Sequence, residues 1–237
     1  TLQVGNGGTT GTLGGGAVVN NGALVFNRSN ALAVGNAISG SGSLTQAGTG
    51  LLTLSGGNSY GGTTTVSGTG GLTLQGGSAI GDGSAVQVDA GTTLTIDTSE
   101  TIGSLAGAGT VALATDQALS TGGNNTSTLF SGSITGSVTV ANTLQLIKQG
   151  SGSFTLTGSN SYAGGTSIAA GGSLQLGNGG TTGSLAGGAI TNDGTLIVDR
   201  SNAITLANSI GGSGALRQAG AGLLTLTADN SYGGGTT

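Results

Sequence analysis

Short apolar pairs, each split by one intervening residue, recur along the chain: Leu52/Leu54, Leu72/Leu74, Leu94/Ile96, Phe154/Leu156, Leu174/Leu176 and Leu196/Val198. In an extended backbone, alternate side chains share a face, so each pair predicts a short strand with one buried side. Further pairs, Val86/Val88, Val111/Leu113, Val138/Val140, Leu144/Leu146 and Ile204/Leu206, predict strands between the first set. Gly, Asn, Ser and Asp cluster between pairs, and these residues form turns. Nothing favours a helix. Apolar residues do not recur at spacings of three and four, and each Gly in a helix costs about 1 kcal/mol relative to Ala.

The spacing of the pairs carries the fold. Leu54, Leu74 and Ile96 lie 20 and 22 residues apart, and Leu156, Leu176 and Val198 repeat those steps. Strands this short bury little in a sandwich or closed barrel. A return every ~20 residues suits a chain that winds round and stacks on itself at the ~4.8 Å strand spacing. The sequence therefore predicts an all-β fold, a right-handed parallel β-helix (β-solenoid) of the pectin-lyase-like kind. Roughly 11–12 coils of about 20 residues would make a rod on the order of 55 Å long.

Longer repeats overlie this period. Residues 1–65 match 173–237 at an offset of 172, with 41 of the 65 aligned pairs identical. "LLTLSGGNSYGGTT" at 51–64 returns as "FTLTGSNSYAGGTS" at 154–167 and "LLTLTADNSYGGGTT" at 223–237. Such self-similarity reads first as architecture. It predicts a single β-helix segment over 1–237, with repeat units near 1–66, 67–166 and 173–237. The start without Met and the stop part-way through a repeat predict a piece cut from something longer. In each copy "NSYxGGT" is expected to form a corner. Asn58, Asn160 and Asn230 would make the bend and cap backbone groups with their amides. Tyr60, Tyr162 and Tyr232 would lay their rings over it, hydroxyls reaching solvent or a carbonyl. Gly62, Gly164 and Gly234 would supply positive φ. The wide separation of the tyrosines argues against a shared ligand platform.

Composition removes whole classes of function. The chain holds 54 Gly, 35% hydrophobic residues and only 5% charged residues, with no Pro, Cys, Met, Trp or His. Its apolar content argues against disorder, which goes with low hydrophobicity and high net charge. Net charge is −4, and the four basic residues, Arg28, Lys148, Arg200 and Arg217, stand far apart. A nucleic-acid binder or a partner for anionic membranes needs a clustered basic footprint. No apolar run reaches the ~18 residues of a membrane span, so direct membrane insertion is not expected. No signal-peptide pattern opens the sequence.

Candidate chemistry is equally sparse. No serine has a His base, and no Cys or His exists to ligate metal. "GDG" at 81–83 occurs once, so Asp82 reads as a turn residue rather than part of a calcium-binding array. "LGNGGTTG" at 176–183 lacks the Lys of a phosphate-binding loop. A carbohydrate-cleaving β-helix would need paired carboxylates. Asp89, Asp97 and Glu100 are the local acidic group, and Glu100 is expected as a solvated turn charge. Arg28 and Arg200, equivalent in "RSNA", are expected to serve the surface structurally. No catalytic residue, metal site or cofactor is expected.

The stretches "GTGLLTLSGGNSYGGTTTVSGTGGLTLQGGSAIGDGSAVQV" and "GSGSFTLTGSNSYAGGTSIAAGGSLQLGNGG" resemble the passenger-associated transport repeats of bacterial autotransporters. "TLTIDTSETIGSLAGAGTVAL" at 93–113 resembles the segments between such repeats. The third copy departs from the pattern, with Ala228-Asp229 where the first has Gly56-Gly57. The resemblance implies a passenger exported by type V secretion through a C-terminal outer-membrane β-barrel on the same polypeptide and displayed on the cell. On that basis the expected role is a non-enzymatic stem that spaces or presents a functional region. The alternative is an adhesin or self-association surface, with neighbouring copies or a host ligand as partners. A polysaccharide-degrading β-helix and an ice-binding solenoid are more remote. The latter wants Thr-x-Thr at one place in every coil, whereas outward positions mix Thr with Gln, Ser, Ile and Ala.

Overall fold

The computed structural model describes residues 1–141 and 143–237. Its regular elements are 27 short strands, and every pairing among the described residues is parallel. The chain forms a β-solenoid with a first, second and third face visited in that order in each coil. The first face is an unbroken sheet of eleven strands, from Leu2–Val4 through Ser43–Gln46, Ala85–Val88 and Ser153–Leu156 to Ala215–Gln218. At ~4.8 Å per strand that stack is about 50 Å long. The fold expected from the apolar spacing is the one observed, with about eleven turns.

Register explains why the apolar pairs recur as they do. Leu24 pairs with Leu44 and Leu44 with Thr64, steps of 20 residues; Thr64 to Val86 is a step of 22. Leu54, Leu74 and Ile96 are direct register partners on the second face. Leu156, Leu176 and Val198 are partners too, but on the first face. Inward columns of Leu, Val and Ile fill the tube, and most are fully buried. Each coil contributes only about four apolar side chains to the core, so a coil by itself has almost no core. Burial comes from its two neighbours, as in other solenoids.

The second and third faces are less complete than the first. On the second, six strands run from Leu32–Val34 to Ser133–Gly136, and the sheet resumes only with Ile204–Leu206 and Leu224–Leu226. On the third, Val18–Val19 pairs with Ile38–Ser39, and a six-stranded sheet begins at Glu100–Ile102 and ends at Ile210–Gly211.

One expected strand is not there. Val138 and Val140 alternate as an inward pair would, yet residues 137–141 form no strand and Val140 is 61% exposed. Asp116 holds this segment in a loop instead. Its carboxylate accepts the backbone N–H of Thr139 (2.8 Å) and of Val140 (3.2 Å), and also the Thr139 hydroxyl. Leu144/Leu146 is also altered, because a bulge between them turns Gln145 inward and leaves Leu144 partly exposed.

Candidate functional site

The repeated Asn-Ser-Tyr stretch is the most distinctive chemistry in the chain. Burial alternates strictly through the first copy, with Gly56, Asn58 and Tyr60 inside and Gly57, Ser59 and Gly61 outside. The stretch therefore behaves as a piece of solenoid wall whose inward positions carry Asn and Tyr. Asn58 is buried, and its amide joins three coils. Oδ1 accepts the N–H of Ile38 in the preceding coil at 2.7 Å, and Nδ2 donates to the carbonyl of Ala79 in the following one at 2.7 Å. Asn160 repeats this with Ile134 N–H (2.9 Å) and Ser184 O (2.7 Å). These bonds stand where the strand ladder is missing, so backbone groups that would otherwise be buried unpaired are satisfied by a side chain.

The tyrosines differ from the expectation. Tyr60 and Tyr162 are 1% and 0% exposed, so their rings fill the core rather than cover a corner. Each hydroxyl bonds the hydroxyl of the Thr four residues on, Thr64 or Thr166, at 2.7 Å. Two facts account for this. Inward alternation places the ring inside, and an inward Thr supplies the partner that makes a buried phenol affordable. Burial pushes both phenols well above their ordinary pKa. The signal was present in sequence as Tyr-x-x-x-Thr in all three copies. Tyr232, in the last coil, is only partly buried and keeps the same bond to Thr236 at 2.6 Å.

The glycines and asparagines also act differently from a left-handed corner. None of Asn58, Asn160, Asn230, Gly62, Gly164 or Gly234 has positive φ. A Cβ on Gly62 would lie 2.4 Å from the Gly42 carbonyl oxygen, and one on Gly234 2.5 Å from the Gly214 carbonyl carbon. On Gly164 it would meet the Gln145 side chain at 2.5 Å. These glycines are required by the closeness of the coil beneath.

The three copies are not brought together. Eight register steps carry Leu24 to Leu196, so the 172-residue repeat equals eight whole coils, and Asn58 and Asn230 both lie on the third face. The middle copy is turned by one face: Asn160 stacks on Ile134 of the second. The unit is thus portable around the solenoid.

Two buried ionisable groups were not anticipated. Glu100 is 2% exposed, and its carboxylate accepts the N–H of Ile80 (2.9 Å) and of Ala79 (3.2 Å). With Asn58 it bridges the gap in the third face between Ile38–Ser39 and Glu100–Ile102. Burial raises its pKa, opposed by the two N–H bonds, with nearby Asp82 adding to the rise. Expecting a solvated turn charge was wrong because inward alternation, not polarity, sets direction here. Lys148 is fully buried; its Nζ donates to the carbonyls of Gln149 and of Gly150 (3.0 Å for the latter), and burial lowers its pKa.

Asp89, Asp97 and Glu100 do not converge. Asp89 follows a first-face strand, Asp97 follows a second-face strand and accepts from Gln75, and Glu100 points into the core. Asp82 is exposed in a turn. Arg28 ties down the loop at 5–11, donating to Gly11 O (2.7 Å), Thr9 O (2.6 Å) and Asn30 Oδ1 (2.8 Å). Arg200 does the same for 177–183 through Gly183, Thr181 and Asn202. The loop that resembled a phosphate cradle is closed by its own guanidinium. Among the described residues, no three His, Cys, Asp or Glu gather as a metal site, and no helix is long and apolar enough to cross a membrane, which says nothing of a β-barrel.

Residues 44–68, 146–176 and 216–237 match the family described as passenger-associated-transport-repeat. Each match contains one Asn-Ser-Tyr unit and the strand before it; the first two also contain the strand after it, and in the third Thr236 makes an isolated bridge to Leu216. The chain is similar to the Adhesin BmaC autotransporter of Brucella suis biovar 1 (strain 1330), with 36% identity over 111 residues, 45% of this chain. It spans about 3% of that relative's length. No solved structure gives a significant match. The solenoid and its three Asn-Tyr-Thr units thus coincide with the matches to the passenger-associated-transport-repeat and with the likeness to an autotransporter adhesin, which support an autotransporter passenger domain.

Proposed function

We propose that this segment is a non-enzymatic β-helical stem of an exported bacterial surface protein, spacing or presenting a functional region beyond the outer membrane. A C-terminal outer-membrane β-barrel on the same polypeptide would be its translocator. The observation that carries the reading is the Asn-Tyr-Thr unit, whose buried amide and phenol lock successive coils into one core. Because each coil is buried by its neighbours, stacking outside the cell would oppose backward slippage and so assist secretion. Deleting the segment in frame while retaining the distal region tests this. The stem reading expects less of the distal region on the cell surface and a shorter reach; unchanged amount and reach would reject it.

A second reading, direct adhesion or self-association, is favoured by the name of the relative, an adhesin. The outward Thr, Ser and Gln of the first face would supply many weak contacts to a neighbour or a host ligand. Cell clumping and attachment lost on the same deletion, with surface display unchanged, would favour it over the stem.

A further inference from the structure

Departures from regular stacking concentrate where two neighbouring coils meet. Neighbouring strands of the first face share three or four residue pairs, as at Ala85–Val88 with Ser104–Gly107. Ser104–Gly107 and Thr128–Phe130 share one, Gly107 with Phe130. The next step, Phe130 to Leu156, is 26 residues, and on the third face Thr121 to Lys148 is 27. Among the described residues, the two non-glycine positions with left-handed backbone are Asp116 (φ 61) and Asn125 (φ 63). The bulge at Gln145 lies in the next coil, where the second-face sheet stops at Ser133–Gly136.

The interior is disturbed at the same level. Thr121 and Lys148 are column partners on the third face. Thr121 Oγ1 is buried without a hydrogen-bond partner, and the Lys148 ammonium is buried against carbonyls rather than a carboxylate. A groove of about 360 Å³ opens beside Val138, Leu144, Ala163 and Gly164. An unsatisfied buried polar group costs about 1–3 kcal/mol. In a stack held by nearest-neighbour interfaces, a face joined by a single residue pair is where local opening starts. Four pairs on the second face and three on the third still join these two coils.

We propose that residues 122–141 and 143–150 form a compliant joint between two stiffer blocks, 1–121 and 151–237, and that under load the rod bends there by opening its first face between Ser104–Gly107 and Thr128–Phe130. The lower block keeps continuous first and second faces, and the upper keeps continuous first and third faces. The joint is a property of the solenoid and does not rest on the stem reading.

Hydrogen exchange by mass spectrometry on the whole 237-residue chain tests it. Strand amides of Thr128–Phe130 and Leu144–Lys148 should exchange at least about tenfold faster than those of Ala85–Val88 and Ser173–Leu176. Equal protection across these inner strands would overturn the proposal. Lys148→Leu removes the buried ammonium and should slow exchange in the joint while leaving the other inner coils unchanged. Unchanged or faster exchange there would overturn the weakening assigned to this column. Should the variant fail to fold, the wild-type profile alone decides.

Discussion

The first and third Asn-Ser-Tyr copies are nearly the same sequence on the same face, one with a coil stacked above it and one in the final coil of these 237 residues. Leu52, Leu54 and Tyr60 are 1%, 0% and 1% exposed, whereas Leu224, Leu226 and Tyr232 are each only partly buried. Asn58 sends Nδ2 forward to Ala79 of the following coil; Asn230 turns it back to Ala228 of its own at 2.8 Å. The backward bond survives in both, from Ile38 N–H and from Ile210 N–H. The difference isolates what one overlying coil contributes. It provides burial of the aliphatic pair and the ring, and it provides one of the two amide bonds. Folding of any coil is thus coupled to the coil above it.

The largest test of that comparison is truncation of the ring. Tyr60→Ala should lower stability by about 3–5 kcal/mol, the usual cost of an aromatic cavity in a core. Tyr232→Ala should cost less than half as much, both read from denaturant unfolding midpoints. Equal losses would break the claim that the overlying coil supplies the burial.

Asparagine comes next. Asn58→Ala leaves Ile38 N–H and Ala79 C=O without partners inside the protein, so about 2–3 kcal/mol is expected. Asn230→Ala strands one group at a wetter site and should cost about 1 kcal/mol. Hydrogen exchange at Ile38 and Ile210 would show whether the lost bond is the cause. A smaller effect, about 1 kcal/mol, is expected for Tyr60→Phe, which leaves the Thr64 hydroxyl buried without its partner. At Tyr232→Phe the change should be near zero, since water reaches Thr236.

The smallest expected effect is a pH dependence from Glu100. Its pKa is raised by burial in the folded state, so the neutral form is the better tenant of the core. Its contribution is fully present below the ordinary carboxylate range and is lost as pH rises through the folded value. The wild-type chain should therefore lose stability relative to Glu100→Gln as pH climbs from the carboxylate range toward neutrality. A constant difference between the two chains across that window would refute the assignment. Asp193, at the surface, shifts the other way: backbone and side-chain bonds from Ser213 lower its pKa.

Much of this was legible in the chain. The 20- and 22-residue spacing of Leu54, Leu74 and Ile96 named true register partners, because coils of similar circumference return their inward residues at similar intervals. The Val138/Val140 pair misled because two alternating apolar residues cannot reveal that Asp116 ties that stretch into a loop. Tyr60 misled because its hydroxyl suggested a surface position, and its partner Thr64 looked like one more Thr in a Thr-rich chain. The rotation of the middle copy by one face was unreadable, since it depends on the summed lengths of four irregular coils.

Sequence alone determined the parallel stack, the columns and their period, and which repeats are equivalent, because these follow from side-chain alternation and a local length. Only the tertiary structure decided which polar groups face inward and which face of the rod each repeat occupies. Asn58, Glu100 and Lys148 are buried by where their coils fall relative to breaks in the third-face ladder, and such a position is set by all the coils beneath it.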